Sequence, residues 1–276
     1  MGVPDGNEFH FSDNDFKFVA KLINEHTGIV IADHKRNMVY SRLARRLREL
    51  KFRTFKEYCN LLEGNNGGNE LVNFVNALTT NLTGFFREGH HFDHLEEHLR
   101  MVAKNLSGDR KIRIWSSASS SGQEPYSIAM TAHKALPKIA SLDLKILATD
   151  IDTNMINKCK EGIYPKLELE KIPAEYKGKY ISDIGNEQIQ MSDKLKKIIT
   201  FKNLNLLGPW PMKGMFDVIF CRNVIIYFDK PTQKALFERM YEILKPGGIL
   251  YLGHSESLFG VNDKFELKGR TIYQRI

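Results

Sequence analysis

KIRIWSSASSSGQEPYSIAMTAHKAL, residues 111–136, is the stretch that decides the fold. IRIWSSA is a short apolar run bounded by small residues, the pattern of a buried strand. SSSGQEPYS reads as a loop and SIAMTAHKAL as a helix. The same alternation continues downstream. LKILATDI (144–151), FDVIFCRNVIIYF (216–228) and GGILYLGHS (247–255) read as strands, and TNMINKCK (153–160) and TQKALFERMYEIL (232–244) as helices. Strands separated by helices predict an α/β fold with a mostly parallel central sheet. LKPGGIL (244–250) reads as helix end, tight turn and strand. Residues 164–200 break the alternation with IPAEY, a DIGN turn, EQIQMSD and LKKIITF, which predict a small antiparallel β insertion.

Upstream the texture is helical. SDNDFKFVAKLINEHTG opens on capping residues, places Phe16, Val19 and Ile23 on one face and stops at Gly28. FKEYCNLL and ELVNFVNAL follow, separated by the polar turn GNNGGN. The expected organisation is an all-α domain over 1–90, a linker helix over 91–110 and the α/β domain over 111–276.

With 42% hydrophobic residues, the 276-residue chain can fill a core in each part. No apolar run approaches the roughly 18 to 20 residues of a bilayer crossing. MGVPDGNEFHFSD lacks a basic segment ahead of an apolar stretch, and Gly6 stands where myristoylation requires Ser or Thr. A cytoplasmic protein is expected. Cys59, Cys159 and Cys221 are odd in number and lack metal-type spacing, so buried reduced thiols are expected. The sequons at Asn81 and Asn105 then carry no glycan.

The net charge of +7 is concentrated. Nine basic residues lie between Lys35 and Lys56 against the single acid Glu49, and Val39, Leu43, Leu47 and Leu50 fall at helical spacing among them. Lys35, Arg42, Arg46 and Arg53 are predicted to line one flank as a basic ridge for an anionic macromolecule. The ridge fits a phosphate backbone or a glutamate-rich protein surface equally well. His90, His94 and His98 recur every four residues, but three histidines on one straight helix converge poorly on a single ion, so no metal is expected.

Ligands of an open parallel sheet lie beyond the carboxyl ends of its strands. The loop after the first strand has one glycine, Gly122, where a phosphate cradle needs several, so a cofactor without phosphate is favoured. Asp150, at the end of LATDID, suits both hydroxyls of an adenosine ribose. Asn205 and Asn223 offer polar groups to an adenine and a methionine moiety.

GQEPYS, ATDID, NLNLL, FDVIFCRNVIIYFDK and LKPGG in this order resemble the class I S-adenosylmethionine methyltransferases, and in particular the chemotaxis receptor methyltransferase family, CheR. GIVIADHKRNMVYSRLARRLR and NALTTNLTGFFREGHHF are similar to that family's N-terminal signatures. The resemblance implies a Rossmann-like sheet and cofactor contacts from Asn81, Thr83, Arg87, Glu124, Asp150, Asn205, Leu206, Arg222 and Asn223. It also implies that Arg87 and Tyr227 border the transferring methyl group. Gln123 stands where some members have a second Glu, and the 164–200 insertion is the least matched part, although in some members it grips a receptor's C-terminal peptide.

The family esterifies glutamate side chains of chemoreceptor cytoplasmic helices, leaving S-adenosylhomocysteine. A glutamate with a pKa of about 4.3 is already an ionised nucleophile near neutrality, so no general base is needed and alignment is the main task. Arg87 would orient a carboxylate through its planar fork; read without the family it would be a surface ion pair with Glu88, and Tyr227 a core aromatic. An RNA methyltransferase using the basic ridge is the enzymatic alternative, against which no RNA module or stacking platform is found. A cofactor-binding scaffold without turnover is the other. Chemoreceptors are therefore the expected partners, with no nucleic acid and no membrane insertion.

Overall fold

The structure is a computed structural model and describes residues 8–64, 67–105 and 111–276. Gly6, the centre of the GNNGGN turn, the Asn105 side chain and residues 106–110 of the expected linker helix lie outside the described residues. By its contacts the chain divides into a helical unit, up to Thr80 together with Tyr227–Asp229, and an α/β unit, Asn81–Ile226 with Lys230–Ile276.

The helical unit contains α1 (Asp13–Thr27), α2 (Arg36–Leu50), α3 (Phe55–Glu63) and α4 (Gly68–Leu78). Reciprocal capping boxes, Ser12 with Asp15 and Thr54 with Glu57, satisfy the first N–H groups of α1 and α3. Gly28 ends α1 at φ 73°, a left-handed position that a residue with a Cβ adopts reluctantly. Apolar residues at helical spacing, among them Val19, Ile23, Val39, Leu43, Leu47, Phe55 and Phe74, are fully or almost fully buried and form the core of this unit.

The α/β unit is built on β1 (Lys111–Ser116), β2 (Asp143–Asp150), β3 (Ile163–Pro165), β4 (Ile181–Gly185), β5 (Gln188–Met191), β6 (Ile199–Asn203), β7 (Phe216–Cys221), β8 (Leu244–Leu252), β9 (Phe265–Gly269) and β10 (Ile272–Arg275). Its helices are α5 (His90–Asn105), α6 (Gln123–Ala135), α7 (Thr153–Glu161), α8 (Ala174–Tyr180), α9 (Asp193–Lys196) and α10 (Lys230–Ile243). The seven-stranded sheet runs β6-β2-β1-β7-β8-β10-β9. The five strands from β6 to β8 are parallel and the last two antiparallel. Chain order reverses between β1 and β7, so their carboxyl ends flank the switch-point crevice.

The predicted insertion is a separate antiparallel sheet ordered β3-β5-β4. It is shorter than 164–200, because Ile199–Asn203 pairs in parallel with β2 as the edge of the main sheet. Tyr164, Tyr176, Tyr180, Ile189 and Leu195 of this region share the core that includes Tyr126 and Met130 of α6. β8 begins within LKPGGIL. Its partner in β7 advances from Phe216 to Val218 while β8 advances from Leu244 to Ile249, so Lys245–Gly248 form a bulge.

Two sequence expectations are corrected. The division falls after Thr80, not after residue 90, and α5 is not an interdomain linker: its Phe92, Leu95 and Leu99 are buried with Ile112, Ile114 and Phe220 of the sheet. Those apolar positions face the sheet core, so the helix forms a layer of the α/β unit. Cys59 is buried in the helical unit, and Cys159 and Cys221 in the α/β unit; all three are free thiols.

Candidate functional site

Small residues let the chain turn sharply after β1. The Ser117 N–H donates to the Phe220 carbonyl (2.9 Å) and the Ser119 N–H to the Thr149 carbonyl (2.8 Å), which ties the loop to β7 and β2. Ser120 is held at φ 47°, and its N–H donates to the Asp150 carboxylate at 2.7 Å. Gly122 follows at φ 101°; a Cβ there would lie 2.7 Å from the Tyr164 hydroxyl, so glycine is required on both counts.

Asp150 is buried at the end of β2 and also accepts from the Asp152 N–H at 2.9 Å. Burial pushes its carboxyl up to about 6, against the pull of those two N–H groups. Asp152 caps α7 through the N–H groups of Asn154 and Met155, and its other oxygen accepts from the Asn81 amide at 2.7 Å. The Ser120 hydroxyl donates to the Asn81 carbonyl at 2.8 Å. The Leu204 N–H donates to the Asp150 carbonyl at 3.0 Å, which brings Asn205 and the buried Leu206 to the same strand end.

Beside this lies a buried charge network. Arg222, directly after β7, donates through Nη1 to Glu124 Oε2 (3.0 Å) and through Nη2 to the Arg87 carbonyl, and Nη2 is 3.3 Å from Glu88 Oε2. Glu124, in the first turn of α6, also accepts from the Ser116 hydroxyl at 2.8 Å. Burial pushes the Glu124 carboxyl up, with Arg222 and Ser116 opposing. Burial acts in the same sense on Glu88, but there Arg222 and His254 outweigh it and hold the carboxyl below its ordinary range.

The α/β unit therefore carries two hydrogen-bonded networks, one joining Asn81, Asp150 and Asp152 and the other Glu124, Arg222 and the Arg87 backbone, with Asn205, Leu206 and Asn223 just beyond the strand ends. The Arg87 side chain donates to the Leu82 carbonyl (3.0 Å), and the ion pairs of Glu88 are with Arg222 and His254, so the expected Arg87–Glu88 surface pair is absent among the described residues. Thr83 is half-buried on the same 81–87 segment. Tyr227 makes its contacts in the helical unit: its carbonyl accepts from the Val30 N–H (2.9 Å), and Lys35 Nζ stands 5.7 Å from its ring centre. β6 ends at Asn203, so Asn205 lies in the loop two residues beyond the strand.

The basic ridge is also corrected. Arg42 donates to the carbonyls of Leu78 (2.9 Å) and Thr79 (2.7 Å), closing the exposed end of α4. Arg46 donates to both oxygens of buried Glu70 (2.9 and 2.7 Å), which also accepts from Tyr58 and Asn73. These two side chains hold the helical unit together. Arg45 and Arg53 are exposed, as are Arg48, Lys51 and Lys56 of the same stretch. Three of the α5 histidines hydrogen-bond within the α/β unit, His94 to the Tyr251 hydroxyl (2.8 Å) and His90 and His91 to the Arg270 carbonyl, while buried His98 leaves its Nε2 without a partner among the described residues. Among the described residues no group of three His, Cys, Asp or Glu side chains could hold a metal.

Several members of the site carry no sequence signal. Ser116 and Glu88 act through partners in other elements. Glu256 accepts backbone N–H bonds from Gly253, Asn223, Val224 and Ile225 at 2.6 to 2.9 Å, and none of these partners is predictable from spacing. Asp152 could have been found, since Asp before TNM is a helix-start signal.

The donor set determines what can bind. Four carboxylates, those of Glu88, Glu124, Asp150 and Asp152, stand against the single buried guanidinium of Arg222, and no glycine-rich cradle for phosphate is present in the described loop. The balance suits a cationic ligand with hydroxyl donors.

Comparison with known proteins agrees with this chemistry. Residues 81–274 match the model of the CheR methyltransferase, SAM binding domain, and residues 14–79 that of the CheR methyltransferase, all-alpha domain. The chemotaxis protein methyltransferase of Escherichia coli K12 is 44% identical over 266 residues, covering 95% of this chain and 91% of that protein. The probable chemotaxis protein methyltransferase of Rhizobium etli is 43% identical over 259 residues, covering 92% and 96%. Chemotaxis protein methyltransferase 2 of Pseudomonas aeruginosa is 43% identical over 272 residues, covering 96% and 94%.

Proposed function

The chain belongs to the CheR family of S-adenosylmethionine-dependent methyltransferases, and from that premise we propose that it is a protein-glutamate O-methyltransferase acting on chemoreceptor cytoplasmic helices in sensory adaptation. The observation that carries the reading is the anionic, phosphate-free site at the switch point of the sheet, in a chain related over most of its length to chemotaxis methyltransferases.

Asp150 is proposed to accept from the ribose hydroxyls, Asn205 and Leu206 to border the adenine, and Asn81, Thr83, Glu124 and Asn223 to border the amino-acid end. S-adenosylmethionine held there would supply an electrophilic methyl on its sulfonium, with the neutral thioether S-adenosylhomocysteine as the leaving group. The remaining chemistry falls to positioning. A glutamate carboxylate is ionised near neutrality, so the site has no proton to remove. Arg87, with its backbone held by Arg222, would orient a carboxylate without binding it so tightly that the ground state is favoured. Arg222 is only 2% exposed in its side chain, so its proposed part is to hold the 87–88 backbone and Glu124 rather than to reach a ligand. The exposed Arg45 and Arg53 remain as steering charges for acidic receptor helices, in place of Arg42 and Arg46.

The RNA reading rested on the ridge, and two of its four cations are consumed inside the helical unit. The test is to supply methyl-labelled S-adenosylmethionine to the full chain with a receptor cytoplasmic fragment, and in parallel with RNA. Label on the receptor, released as methanol by mild alkali, is the expected result; alkali-stable label, or label on RNA alone, would overturn the proposal.

A further inference from the structure

Asn223 occupies the left-handed region at φ 57°, which is costly for a residue with a Cβ unless the surroundings impose it. The surroundings here are one side chain. Glu256, 5% exposed, accepts from the N–H groups of Asn223 (2.8 Å), Val224 (2.9 Å), Ile225 (2.8 Å) and Ile226 (3.4 Å), four consecutive residues leaving β7. Its Oε2 also accepts from the Gly253 N–H at 2.6 Å. Successive N–H groups converging on one anion form a nest, and an isolated turn of this kind would leave those donors unpaired in a buried place. Gly253 completes the arrangement: a Cβ there would come 2.4 Å from the Asn223 amide nitrogen, so only glycine leaves that amide its place.

We infer that Glu256 is a positioning residue that sets the Asn223–Ile226 turn and with it the direction of the Asn223 amide. With its carboxylate buried and engaged by five N–H groups, it does not reach a ligand. The inference rests on the reading that Asn223 borders the cofactor, and it extends that reading by naming what holds Asn223 in place.

The test is a double-mutant cycle on the full chain, with S-adenosylhomocysteine affinity measured by calorimetry. Glycine adopts φ 57° freely, so Asn223→Gly removes the amide without straining the turn. Asn223→Gly and Glu256→Gln are each expected to weaken binding about tenfold, with the double variant no weaker than Asn223→Gly alone. If Glu256→Gln left affinity unchanged while Asn223→Gly weakened it, or if the two effects simply multiplied, the inference would be overturned. Full affinity in Asn223→Gly would overturn the cofactor reading of Asn223, and the inference with it. Should Glu256→Gln fail to fold, Glu256→Asp takes its place in the same cycle, with the same outcomes.

Discussion

Each unit buries an arginine against carboxylates, but the two networks are finished differently. In the helical unit Arg46 meets Glu70, whose oxygens are also taken up by Tyr58 and Asn73. In the α/β unit Arg222 lies between Glu124 and Glu88, yet its Nε has no partner among the described residues. Backbone strain follows the same division. Phe86, Glu88, Ser120 and Asn223 all have positive φ around the switch point, whereas in the described helical unit Lys51, at the end of α2, is the non-glycine residue with positive φ. A closed network holds a fold together, and an open, strained one marks the place where the fold is kept ready for something else.

The sharpest way to break this comparison is to take one charged member out of each network. Arg222→Met leaves Glu88 and Glu124 buried without their cation and is expected to destabilise the α/β unit by about 3 to 5 kcal/mol, with loss of S-adenosylhomocysteine binding. Glu70→Gln keeps the shape and one acceptor; it should lower the melting temperature by a smaller amount and leave affinity at the wild-type level. Calorimetric melting with affinity measured alongside checks both, and a loss of affinity in Glu70→Gln would erase the distinction.

A second, intermediate effect concerns pH. Asp150, with its carboxyl pushed up to about 6, is ionised above that pH and protonated below it. Affinity for S-adenosylhomocysteine should therefore fall as pH drops through about 6, by up to about tenfold per unit for one proton. Stability is a poorer readout. A raised carboxyl pKa means the native state takes up its proton before the unfolded chain, so Asp150 adds stability as pH falls below 6. Buried His91 and His98, lowered to about 3 and about 4, lose stability over the interval below 6.5. Asp150→Asn should remove the affinity slope.

The smallest expected effect lies on the helical unit's surface. Charge reversal at Arg45 and Arg53 should slow receptor methylation by about two- to fivefold at low salt, less at high salt, without altering cofactor affinity. A salt-independent effect would mean that these side chains do not steer.

Much of the α/β architecture is legible because strands and helices alternate with distinct periodicities, and because small residues after IRIW leave little but a tight loop. Asp150 is legible from its place at a strand end. Arg42 and Arg46 depart from the sequence expectation for a physical reason: periodicity gives the direction a side chain points, not what waits there, and the neighbours are the open end of α4 and the buried Glu70. Glu88, Ser116 and Glu256 escape for the same reason, since their partners come from other elements. The start of edge strand β6 falls within the expected insertion because Ile199–Asn203 is too short to announce which sheet it joins.

The three thiols turn this division into an internal clock. Burial pushes Cys59 and Cys159 up to about 12 and holds Cys221 well above the ordinary thiol value, so none offers a thiolate to an alkylating reagent while its unit stays closed. Cys59 belongs to the helical unit and the other two to the α/β unit. The order in which they become labelled therefore records which half opens first, with no engineered probe.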